Sequence, residues 1–101
     1  MIPDVVEILQ QLIRIPSVNP MGRDVPDDPH YCEQALSVYL EQFFRDLGVG
    51  VWRQNVEPRR TNILAWTTAP ADDRQRPIVM FEAHQDTVPV DGMTIDPWQP
   101  R

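Results

Sequence analysis

One stretch constrains this chain more than any other. Residues 77–89 read Pro-Ile-Val-Met-Phe-Glu-Ala-His-Gln-Asp-Thr-Val-Pro. An apolar run opened by Pro77 and followed by polar residues predicts a buried strand over residues 78–83. A strand that is apolar on both faces needs cover on both sides and neighbours at both edges. The rest of the chain therefore has to act as scaffold for it. The run ends in His84 and Asp86, two residues apart. In open α/β sheets, the C-terminal end of a buried strand is where polar side chains meet ligands.

The scaffold reads as two helices and two further strands. Residues 3–14 predict a first helix, with Val5, Val6, Leu9, Leu12 and Ile13 on one stripe and Pro16 as the stop. Residues 17–29 form a loop rich in Pro, Asp and Gly. Its acidic residues Asp24, Asp27 and Asp28 lack the alternation and closing Glu of an EF-hand, so a solvated loop is expected. Residues 30–47 predict a second helix whose apolar face includes Leu36, Tyr39, Leu40, Phe43, Phe44 and Leu47, closed by Gly48. His30 and Cys32 at its start are expected to be a capping-region histidine and a core thiol, not a metal site, because residues two apart on a helix face different ways. Residues 50–56 and 61–68 predict strands, and residues 69–76 a polar loop. Two helices followed by three strands define an α/β chain, and the doubly apolar third strand points to part of a larger sheet.

Charge and composition narrow the partners. The 101 residues suit one domain with a modest core. The net charge of −6 and the absence of a basic cluster argue against nucleic acid or an anionic membrane surface. No apolar run is long enough to span a bilayer, and the first residues carry no secretory signal pattern. One cysteine, Cys32, cannot form an internal disulfide. Cytoplasmic residence is the resulting expectation. All nine basic residues are arginine, which excludes a Schiff-base or phosphate-loop lysine within the chain.

His84-Gln85-Asp86 can carry chemistry in two ways. On an extended chain, residues i and i+2 point to the same side. A neutral histidine can bind a metal through one ring nitrogen while a carboxylate holds the other. Alternatively, the aspartate can orient a histidine that acts as a general base. The triplet by itself is also what a surface turn would contain. The residues alone leave these alternatives open.

The wider string Phe81-Glu82-Ala83-His84-Gln85-Asp86-Thr87-Val88-Pro89 resembles the first metal-ligand motif of a family of zinc amidohydrolases. That family includes acetylornithine deacetylase, succinyl-diaminopimelate desuccinylase, aminoacylase and glutamate carboxypeptidase. Other stretches match in order. The segment Leu12-Ile13-Arg14-Ile15-Pro16-Ser17-Val18-Asn19-Pro20 is similar to the family's end of the first helix. The segment from Tyr39 to Gly48 looks like its second helix, and Thr61-Asn62-Ile63-Leu64-Ala65 like an early strand. Asp96-Pro97-Trp98 stands where the family has a proline and an aromatic residue. The resemblance covers nearly the whole chain. Glu82 departs from the small residues common just before the motif's histidine, and the resemblance gives it no role as general base.

The resemblance implies a three-layer α/β/α metallopeptidase catalytic domain with a mixed sheet, of which residues 1–101 would be the N-terminal portion. His84 would be a zinc ligand and Asp86 the carboxylate that orients it. The full site would hold two ions, zinc or cobalt, and would hydrolyse the amide bond of an N-acyl amino acid or small peptide. The remaining ligands, the general base and a lid or dimerisation domain would lie beyond Arg101, so a homodimer would need that missing domain. A catalytic zinc takes about three protein ligands, and this chain offers one convincing candidate. The expectation is thus a fragment inactive alone. The competing expectation is a small non-catalytic α/β remnant or interaction module.

Overall fold

The computed structural model describes residues 3–67 and 76–101. Its elements are helices α1 (Val5–Arg14) and α2 (Gln34–Asp46), then strands β1 (Gly50–Glu57) and β2 (Arg60–Trp66). The two strands pair antiparallel in one sheet. The chain is therefore a mixture of helices and a two-stranded sheet.

Local chemistry sets the ends of each element. Asp4 caps α1, its carboxylate accepting from the Val6 N–H at 2.7 Å. α2 ends in a Schellman arrangement. Gly48, at φ 75°, donates its N–H to the Arg45 carbonyl, and Val49 donates to Phe44. Only glycine takes that left-handed backbone without a steric cost. The hairpin turn between β1 and β2 places Pro58 and then Arg59, at φ 64°, between the paired Glu57 and Arg60. Proline followed by a positive φ is the type II pattern, in which the second position ordinarily falls to glycine.

α2 begins four residues later than its apolar periodicity predicts. Residues 30–32 are drawn instead into extended pairing with Val18. Val18 donates to the His30 carbonyl at 3.0 Å, and Cys32 donates to the Val18 carbonyl at 2.9 Å. Cys32 at φ 72° is incompatible with a helix, so His30 does not cap α2. It stacks on Trp98 with ring centroids 4.4 Å apart, and its Nδ1 lies 3.0 Å from Asp28. Cys32 is buried, as expected of a core thiol.

The expected third strand is corrected. Residues 78–83 pair with nothing among the described residues, and Ile78 and Phe81 are 92% and 95% exposed. Apolar character states what a run would bury, not that a partner is at hand. Thr68 and residues 69–75 of the expected loop lie outside the described residues. The apolar stripe of α1 is likewise uncovered, with Val5, Val6 and Leu9 all more than half exposed.

The packed centre is small and partly polar. Val18, Cys32 and Leu36 are buried beside Ser17, Ser37, Thr61 and Glu33. Glu33 is neutralised by Arg60, whose Nε and Nη2 reach its carboxylate at 2.7–3.0 Å. α2 lies against the face of the hairpin that carries Val51, Arg53 and Ile63, and Arg53 donates to Glu41 of α2 at 2.7 Å. The opposite face, with Trp52, Leu64 and Trp66, is open.

Candidate functional site

The site is built where three distant stretches meet. Val18 forms parallel bridges to Tyr31 on one side and Thr87 on the other. The Asn19 N–H donates to the Thr87 carbonyl at 2.9 Å, and the Thr87 N–H donates to the Ser17 carbonyl at 3.0 Å. The Ser17 hydroxyl adds a bond to the Gln85 carbonyl at 2.9 Å. Residues 17–19 thus act as a template against which residues 85–87 are laid out extended.

Extended backbone sends alternate side chains to opposite sides. Gln85 points inward. Its Oε1 accepts from the Ser37 hydroxyl at 2.9 Å, and its Nε2 donates to the Thr61 carbonyl at 3.0 Å. Ser37, on α2, is fully buried, so this amide links both α2 and β2 to the H-x-D segment. His84 and Asp86 flank Gln85 and emerge on the other side. The His84 side chain is 84% exposed and that of Asp86 29%.

The pair is locally organised. His84 Nδ1 lies 2.8 Å from the Asp86 main-chain carbonyl and 3.2 Å from its Oδ1. A carbonyl oxygen can only accept, so Nδ1 carries the proton and the lone pair of a neutral ring sits on Nε2. Asp86 in turn accepts at Oδ2 from the Asn19 side-chain amide, at 2.8 Å. That amide holds the Asp86 carboxyl below the ordinary carboxylate range, against an opposing push from burial, with His84 adding a smaller downward pull. Asp86 is an anion at neutral pH. Asn19 is itself oriented, because its Oδ1 accepts from the Met21 N–H at 2.8 Å.

A single neutral imidazole with its outward nitrogen free fits one position in a metal's coordination shell. Among the described residues, no three His, Cys, Asp or Glu side chains come together so as to hold an ion. His30 and Cys32 are committed elsewhere, the first to Asp28 and Trp98 and the second to the buried centre. Glu82 is exposed. The residues present therefore fit one ligand and the carboxylate behind it, and do not complete a site.

Sequence reasoning singled out His84 and Asp86 but missed what holds them. Gln85 could have been suspected from alternation, since the residue between two outward-facing groups must face inward, whereas Ser37, on α2, meets it across 48 positions. Asn19 offered no local signal, lying 67 positions from Asp86. No helix among the described residues is long and apolar enough to cross a membrane. No protein-family model, curated protein or solved structure matches the chain significantly.

Proposed function

We propose that this chain contributes the first ligand-bearing segment of a metal-dependent amidohydrolase acting on N-acyl amino acids or small peptides. In this reading residues 1–101 are the N-terminal portion of a three-layer α/β/α catalytic domain, similar to that of the acetylornithine deacetylase and aminoacylase family. His84 binds zinc, or cobalt, through Nε2, and Asp86 orients the ring. The observation that carries the reading is the engagement of His84 Nδ1 by Asp86, which leaves Nε2 as the outward donor. The metal, when bound, would supply Lewis acidity toward water and the scissile carbonyl. The chain's own residues fix the tautomer of the neutral imidazole and hold an ionised carboxylate behind it. The other ligands have to come from outside the described residues, because about three are needed.

Two measurements test this. Zinc binding by the 101-residue chain alone is expected to be weak, because one ligand does not complete a site, and the ring shifts that zinc does produce are expected at His84 and not at His30. Shifts at His30 and Cys32 in place of His84 would remove the basis for the assignment. The isolated chain with zinc or cobalt is expected to show no turnover of N-acetyl or N-succinyl amino acids. Turnover abolished by His84→Ala would show that the chain is a complete enzyme and overturn the view of it as one corner. The coding sequence beyond Arg101 offers a further check, because a glycine-rich segment with aspartate and a later Glu-Glu pair would supply the missing carboxylates.

A further inference from the structure

We propose that the open face of the β1–β2 hairpin is a self-association surface, covered by a second copy of this chain. The proposal goes beyond the functional reading and uses none of the residues around His84. Strand alternation and the pairs Gly50–Trp66, Trp52–Leu64 and Gln54–Asn62 gather these residues on the face that α2 leaves open. Trp52 and Trp66 are each 52% exposed, and Leu64 is 44% exposed. Trp66 is seated against Gly50, where an added Cβ would lie 2.3 Å from two atoms of the indole. The bare glycine backbone therefore makes the seat for the ring. An aromatic side chain already held in place loses little freedom on docking.

Charge, hydrogen bonding and area all favour a second copy as the occupant. The face carries no charged side chain, although the chain has a net charge of −6. Arg60, next in the alternation, is committed to Glu33. Two copies meet here without opposing like charges, whereas a partner recognised by ion pairs has none to make. The polar end of the face is self-complementary. Asn62 Nδ2 donates to Gln54 Oε1 at 3.2 Å. That leaves Gln54 Nε2 as a donor and Asn62 Oδ1 as an acceptor, with no further partner among the described residues. A two-fold axis sets the donor of each copy against the acceptor of the other. The half-exposed apolar side chains offer about 300 Å² per copy, well under the roughly 800 Å² of a lasting interface. The dimer is therefore one that dissociates on dilution.

Sedimentation equilibrium of the full 101-residue chain over a concentration series tests this. The mass is expected to rise from monomer to dimer and no further. Over the same series the indole N–H signals of Trp52 and Trp66 should shift, while that of Trp98, stacked on His30, stays in place. Leu64→Glu and Leu64→Arg each place a charge in the middle pair of the face, and each variant alone should remain a monomer. Their equimolar mixture should recover the dimer, because the two-fold contact then brings opposite charges together. Unchanged amide signals of Arg53 and Ile63, on the face toward α2, would show that both variants keep the fold. A mass that stays monomeric or grows past the dimer in the unaltered chain would overturn the proposal. So would association that survives both Leu64 charges, or a mixture of the two variants that stays monomeric. Association lost in Phe81→Glu but kept in Leu64→Glu would also overturn it, by moving the contact to the exposed residues 78–81.

Discussion

At the scale of single residues, Arg59 shows how one side chain can offset a strained backbone. Its guanidinium donates to the carbonyls of Val25, Pro26, Asp28 and Tyr31, fastening the acidic loop to the hairpin turn. Its own φ of 64° costs a non-glycine residue about 1–2 kcal/mol. Charge-assisted bonds to partly buried carbonyls more than cover that cost. Arg59→Ala keeps the strain and loses the clasp, so it should lower stability by about 2 kcal/mol in urea unfolding. Arg59→Gly loses the clasp but relieves the strain, and should cost about 1 kcal/mol less than the alanine variant. Equal losses for the two variants would contradict the type II turn. The neighbouring Arg60 is not equivalent, since its bonds go to one buried carboxylate, Glu33. The sequence presented both arginines as an isolated basic pair, and their opposite partners were not readable from it.

At the scale of elements, what was legible followed from local pattern. The stripe of α1, the apolar face of α2 with Gly48 behind it, and the two alternating strands need only neighbours close in sequence, and all four elements are present. The start of α2 was misplaced because a long-range pairing, Val18 with residues 30–32, overrode the local helical periodicity. The run at residues 78–83 was misread for a different reason. Burial is a relation between two surfaces, and the sequence specified one of them. A direct check is Phe81→Ala. A core phenylalanine would cost about 3–5 kcal/mol on truncation, whereas an exposed one should change stability by less than about 0.5 kcal/mol. A large loss would show that residues 78–83 are packed after all. The H-x-D pair was legible as chemistry, but its supports were not. Gln85 works through an inward side chain, and Asn19 through a contact that only the folded chain creates.

At the scale of the whole molecule, the polar centre and scattered tethers leave the chain expanded. Its radius of gyration is 16.0 Å, against about 13 Å for a compact chain of this length. Several tethers run through carboxylates held below their ordinary range. Asp28 is lowered chiefly by the His30 N–H, and Asp91 by its bond to Arg23. A depressed carboxyl stabilises the fold fully above its unfolded value and loses that contribution as pH falls through the folded one. Carboxyl carbon titrations of Asp28 and Asp91 should therefore have midpoints below the ordinary value of about 3.9, with the tertiary shifts of His30 and Trp98 preserved down to that range. Midpoints at or above it would mean that these tethers are not formed in solution. The template at residues 17–19 also has a kinetic meaning. The β-turn closes over two residues, whereas the bond from Asn19 to Asp86 spans 67 positions. Chain statistics make the longer closure dearer by roughly 3 kcal/mol of entropy, so the helices and hairpin can form before it. The bond from Asn19 to the Asp86 carboxylate is then expected to form after them. That corner is expected to open before the hairpin, and hydrogen exchange at the Asn19 and Thr87 amides, which bond across it, would register the opening while β1 and β2 stay closed.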